Sequence, residues 1–137
     1  MSDTFKTIAA ISEGYLREQR SKFISFAVPV QTPEEVKEIV TKYKKKYHDA
    51  RHICYAYVLG MDGSQVRAYN DREPSSTAGK PILGAIQSQK LTNVLVVVVR
   101  YFGGVKLGTS GLIIAYRTAA QDAIQNAEII PYLCQSN

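Results

Sequence analysis

The stretch NVLVVVVRYFGGVKLGTSGLIIAY, Asn93 to Tyr116, decides the fold. Its apolar run, Val94 to Val99, is too short to span a membrane and too β-branched for a good helix. It reads as a strand buried on both faces. Arg100, Tyr101 and Phe102 close the run, and Gly103-Gly104, Lys106, Gly108, Thr109-Ser110 and Gly111 follow. From Leu112 the spacing turns helical. A strand, a glycine-rich loop and a helix start therefore follow one another directly. Such a loop can bring backbone N–H groups to an anion, because glycine adopts positive φ and carries no side chain. It matches neither GxGxxG nor GxxxxGK[ST].

Working outward, Gln87 to Asn93 leads into this strand, and Leu112, Tyr116, Ala119, Ala120, Ala123 and Ile124 mark a helix ending near Asn126. Upstream, Ile53–Leu59 and Gln65–Tyr69 flank the turn Gly60-Met-Asp-Gly63, a hairpin. Asn70 to Ser76 is a polar loop, and a short helix with Pro81 in its first turn follows. Earlier still, Thr32-Pro33-Glu34-Glu35 is a helix start with a capping box. Val36, Ile39, Val40, Tyr43 and Tyr47 form its buried stripe, and Lys42, Lys44, Lys45 and Lys46 its solvated or anion-facing side. Ile24, Phe26, Val28 and Val30 alternate as a half-buried strand, with Pro29 marking an edge or an end. Thr4 to Ile11 is a further edge strand. Residues 129–137 form a tail, with a short strand near Ile129-Ile130. The expected architecture is α+β, a mixed sheet with helices packed on one face.

The 137 residues fit one domain, and 45% hydrophobic with 21% charged residues is ordinary for a soluble globular protein. No apolar stretch reaches spanning length and no signal-peptide pattern opens the chain, so a cytoplasmic protein is expected. Two cysteines, Cys54 and Cys134, stand far apart and carry neither a disulfide nor a metal-type spacing. A net charge of +5 favours anionic partners. His48 and His52 are four apart but lack a third ligand, so no metal and no cofactor is expected.

Three motifs carry a resemblance. Arg100-Tyr-Phe-Gly-Gly104 with Lys106-Leu-Gly108, Gly111-Leu112 and Ala115-Tyr116, then Asp71-x-Glu73-Pro74-x-x-Thr77-Ala-Gly-Lys80-Pro81, and Ala50-Arg51-His52-x-Cys54-Tyr-Ala-Tyr57 resemble the signatures of the Impact/YigZ family, in order and spacing. The resemblance runs from about Ser21 to Asn126. It implies the fold of the second domain of ribosomal protein S5, shared with the fourth domain of elongation factor G. Residues 1–128 would form that domain. Many bacterial relatives continue into a small second domain resembling the fifth domain of elongation factor G. Eukaryotic relatives regulate translation by binding the ribosome-associated activator of the starvation-responsive initiation-factor-2 kinase. Arg72 and Ser76 stand where relatives usually carry glycine, so the loop backbone is expected to differ. Ile114 stands where they often carry a basic residue, so an anionic footprint loses one charge.

The candidate anion or RNA site is Arg100, Gly103, Gly104, Lys106, Gly108, Thr109 and Ser110, with Thr109 and Ser110 also able to cap the helix. The glycines serve a turn and close packing equally well; the two cations favour an anion. The second motif contributes Asp71, Glu73, Thr77 and Lys80. Asp71 and Glu73 can fix a turn, hold Arg100 or Lys106, or act as an acid–base pair. Tyr101 and Phe102 are expected in the core. Three functions follow: a non-enzymatic, translation-linked domain contacting RNA, the ribosome or a ribosome-associated protein; a protein-interaction regulator without nucleic-acid binding; and a small hydrolase using Asp71 or Glu73. Asp71 and Glu73 are expected close to the glycine loop.

Overall fold

The computed structural model describes residues 4–133. Its elements are β1 (Lys6–Ile8), β2 (Ser12–Glu18), β3 (Ser21–Pro29), α1 (Pro33–Lys46), β4 (His52–Leu59), β5 (Gln65–Tyr69), α2 (Gly79–Ser88), β6 (Val94–Tyr101), α3 (Gly108–Gln125) and β7 (Ile129–Pro131). Five strands form one sheet in the order β2-β3-β6-β4-β5, and β1 pairs with β7 in a two-stranded ribbon. The class is α+β, as expected, and the short strand in the tail exists.

β6 is the centre of the sheet. Val94 to Val99 are each 0% exposed. Val94, Val96 and Val98 face one core with Phe23, Cys54, Ile82 and Tyr116; Leu95, Val97 and Val99 face another with Phe26, Val36, Val40 and Ile53. Two faces are buried because a helix layer lies on each. α2 and α3 cover the first face and α1 the second, where Phe26 stacks on Tyr43 at 4.6 Å. The expectation of helices on one face is thus corrected. So is that of a mixed sheet: all pairings in the five-stranded sheet are antiparallel. β3 and β4 run the same way, but β6 enters between them and pairs antiparallel with both.

Pro29 ends β3, as one of its two readings had it, but β3 lies inside the sheet, because β2 precedes it in a tight hairpin that the sequence reading missed. The turn residues Gln19 and Arg20 take φ of +49° and +67° without glycine or asparagine to announce it. α1 starts as expected: the Glu35 N–H donates to Thr32 Oγ1 at 3.1 Å, and Glu35 Oε1 accepts from the Gln31 N–H at 2.7 Å. α3 begins four residues before Leu112, at Gly108, with Leu107 as its cap residue and no side-chain cap. Thr109 and Ser110 are therefore in its first turn and do not cap it. Cys134 lies outside the described residues. Among the described residues, no helix is long and apolar enough to cross a membrane.

Candidate functional site: a basic cleft over a buried ion pair

Side-chain parity along β6 builds the site. Even positions from Val94 face α2 and α3, so Arg100 continues that row and is only 5% exposed. Its cross-strand neighbours are Phe23 on β3 and His52 on β4. A guanidinium buried there needs a partner, because an unpaired buried charge costs several kcal/mol, roughly 3–5. Glu73, 7% exposed, supplies it: Arg100 Nη1 donates to Glu73 Oε2 at 2.7 Å. The Tyr116 hydroxyl, brought in on the buried stripe of α3, donates to the same oxygen. His52 Nε2 lies 3.5 Å from Glu73 Oε1, while its Nδ1 donates to the Asp71 carbonyl at 2.8 Å. Arg100 Nη2 reaches Ser21 Oγ at 3.4 Å, and the guanidinium carbon lies 5.6 and 5.5 Å from the centres of the Phe23 and Phe102 rings. Among the described residues, Arg100 Nε is buried without a hydrogen-bond partner.

The loop holding Glu73 is pinned by Asn70. Its Nδ2 donates to the carbonyls of Glu73 and Pro74, and its Oδ1 accepts from the N–H groups of Ala78 and Gly79 at the start of α2. Asp71 Oδ2 accepts from the Ile53 N–H at 2.6 Å, so Asp71 ties the loop to β4. Thr77 is buried and bonds Pro74 O through Oγ1. Arg72 and Ser76 take φ of +65° and +62°, the region glycine favours, so the loop has a glycine-type backbone here even with side chains present. Burial pushes the Tyr116 hydroxyl well above its ordinary value, so it remains a donor to Glu73. Burial likewise pushes the Cys54 thiol up, and its Sγ donates to Asn70 O at 3.2 Å.

Above the pair opens a cleft of about 470 Å³, lined by Arg51, Arg72, Glu73, Phe102 and Lys106 among others, with Gly108 and Thr109 at its rim. Of the two carboxylates expected beside the glycine loop, Glu73 lines the cleft with Lys106, Leu107 and Gly108, whereas Asp71 does not line it. Phe102 is not in the core: it walls the cleft, with the Arg51 guanidinium 4.7 Å from its ring. Tyr101 points to the other face and donates to Asp49 Oδ1. Burial first, and that bond to Asp49, push its hydroxyl up to about 12.

Of the anion residues expected, Arg100, Lys106, Gly108 and Thr109 line the cleft, and Gly103, Gly104 and Ser110 do not. Gly103 has a packing role. A Cβ there would lie 2.1 Å from the Arg20 carbonyl oxygen, so the β2–β3 turn presses directly on the loop. Gly104 takes φ of +88° with open space around it. Lys80 is exposed on α2 outside the cleft, as is Ile114 on α3, and none of Lys42 to Lys46 lines it. Arg51, Phe102 and Tyr116 stand in the motifs quoted from the sequence but were not among the candidate anion residues, and Asn70 figured only as the first residue of the polar loop. Tyr116 had a signal: a phenol in an otherwise apolar helix stripe needs a partner. Among the described residues, no group of three or more His, Cys, Asp or Glu side chains is placed to hold a metal ion.

The fold and the cleft define a small α+β domain with a basic concavity over a buried arginine–glutamate pair. The Impact N-terminal domain family matches residues 19–124, and the chain belongs to that family. It is 35% identical over 130 residues to the IMPACT family member YvyE of Bacillus subtilis, covering 95% of this chain and 60% of that one. The corresponding values for the IMPACT family member YigZ of Escherichia coli are 37% over 109 residues, 78% and 53%. The human Protein IMPACT is 32% identical over 96 residues, 68% of this chain and 30% of its own. The chain thus spans little more than half the length of these bacterial relatives. A crystal structure of a hypothetical protein superposes with a TM-score of 0.89 at 32% identity, over 96% of this chain and 65% of that one. The two-domain translational regulator Yih1 superposes with a TM-score of 0.50 at 27% identity, over 93% and 50%.

Proposed function

We propose that this is a translation-linked binding domain, of the ribosomal protein S5 second-domain type, whose cleft takes the phosphates of RNA. One observation carries the reading. Among the described residues, Arg51, Arg72, Arg100 and Lys106 line the cleft against a single carboxylate, Glu73, and Arg100 already engages that carboxylate. Arg51 and Lys106 are exposed. Arg72 is 83% exposed and only 3.8 Å from Asp71, a pair of little weight in water. The cleft is therefore positive and open, and the first turn of α3 adds uncapped N–H groups at its rim. The likeness to a translational regulator supports the link to translation. Hydrolysis fits the geometry poorly, because Glu73 accepts from Arg100 and Tyr116, and Asp71 from Ile53.

Phosphate contacts dominate such a site, so binding is insensitive to sequence and falls steeply with salt. Fluorescence anisotropy with labelled RNA over a salt series tests this. Lys106→Ala is expected to weaken binding to all sequences alike and to lower the salt slope by about 1. Equal binding by wild type and Lys106→Ala would remove the cleft as a phosphate contact. Absence of wild-type binding at low salt would remove RNA as the ligand and favour a protein partner.

A further inference from the structure

A second basic surface lies on the far side of the sheet. β4 and β5 place Tyr55 opposite Tyr69 and Tyr57 opposite Arg67. These side chains share the face that α1 covers, since Tyr55 and Tyr57 pack partly against the α1 core. Between α1 and these strands a groove of about 360 Å³ remains, lined by Lys37, Lys44, Tyr55, Tyr57 and Arg67. Helical spacing explains the lysines. Lys37, Thr41 and Lys44 recur on one flank of α1; Glu34, one turn before Lys37, and Glu38 are exposed and do not line the groove. Among the described residues, three cations line the groove and no carboxylate does. Lys44 Nζ also lies 5.5 Å from the centre of the Tyr69 ring. β5 is the last strand of the sheet, so the groove is open along that side.

We infer that this groove binds single-stranded RNA, the bases stacking on the tyrosines and the phosphates meeting Lys37, Lys44 and Arg67. Half-buried rings fixed on a sheet and interleaved with cations are the elements of a sequence-tolerant single-strand site. An acidic peptide would use the cations and have no need of the rings. A duplex presents no unstacked base to them. The inference rests on RNA being the ligand but not on the cleft, which lies against the opposite face of the sheet.

The probe is a short labelled oligouridine, titrated by anisotropy over a salt series, with circular dichroism checking the fold of every variant. Lys44→Ala/Arg67→Ala changes two exposed residues and is expected to lower the salt slope by about 1.4, two single-strand phosphate contacts. Tyr57→Ala is expected to weaken binding by about 5- to 150-fold, and Tyr57→Phe to retain wild-type affinity. If Tyr57→Ala proves unfolded, the Lys44/Arg67 variant decides. An unchanged slope in that variant overturns the inference. So does wild-type affinity in a folded Tyr57→Ala, or displacement by poly-glutamate as effective as by unlabelled oligouridine. Loss of binding in Lys106→Ala with no effect of the groove variants would refute the groove and leave the cleft standing. The reverse pattern would refute the cleft and leave the groove.

Discussion

Replacing Glu73 by glutamine removes the charge that neutralises Arg100 and leaves the volume almost unchanged. The structure sets the magnitude. Arg100 and Glu73 are 5% and 7% exposed, so solvent screens neither group much. Arg100 Nη1 and the Tyr116 hydroxyl both donate to Oε2, so a glutamine oxygen placed there keeps both acceptor contacts while its amide N–H groups face His52 Nε2; what is lost is the negative charge. Breaking a buried pair from one side costs roughly 3–5 kcal/mol, and the retained acceptor places the expected loss near the lower bound, about 3 kcal/mol. For a domain of this size that is a fall in Tm of roughly 10 °C. Urea unfolding followed by circular dichroism reads it as a lower midpoint with unchanged slope. The double variant Glu73→Gln/Arg100→Met removes the stranded charge and is expected to be more stable than Glu73→Gln alone. A loss below about 1 kcal/mol, within the range of exposed pairs, would refute the claim that Glu73 neutralises a desolvated Arg100.

Gly103→Ala forces a Cβ against the Arg20 carbonyl and is expected to cost about 2–3 kcal/mol; unchanged urea stability would mean that turn and loop are not in fixed contact. Alkaline pH provides another test. Burial raises Cys54 and Tyr116 above their ordinary 9.0 and 10.0, so the folded chain holds protons that the unfolded chain releases. Their contribution is complete below about pH 9 and is lost as pH rises beyond it. Urea midpoints are therefore expected to fall through that range, with the decline above pH 10 flatter in Tyr116→Phe; an equal decline in both would exclude Tyr116 as a source.

The sheet's centre was legible because six consecutive apolar residues leave few alternatives, and α1 because its cap and stripe agree. The rest depended on contacts that local pattern does not encode. Parity from Val94 places Arg100 on a definite face, but not which helix covers it, nor that its partner stands 27 residues upstream. The β2–β3 hairpin stayed hidden because Gln19 and Arg20 take left-handed conformations without the usual turn residues. α3 starts early despite the low helix propensity of Gly108, Thr109 and Gly111, so local propensity misplaced its first turn. The sheet's sense was misjudged because β6 enters between β3 and β4, an insertion of late chain between early strands.

That insertion bears on how the chain acquires its shape. β3 and β4 are neighbours in sequence but have no strand pairing with each other, and each pairs inward only with β6. Until Val94–Tyr101 is available, the hairpins β2–β3 and β4–β5 are separate pieces, each presenting an apolar strand with an open edge. Two-stranded pieces of this kind are marginal alone in water and prone to stray pairing. The sheet therefore closes in one late, non-local event, which slows folding relative to a fold of local contacts. A chain being synthesised holds two unfinished halves until Val94–Tyr101 emerges.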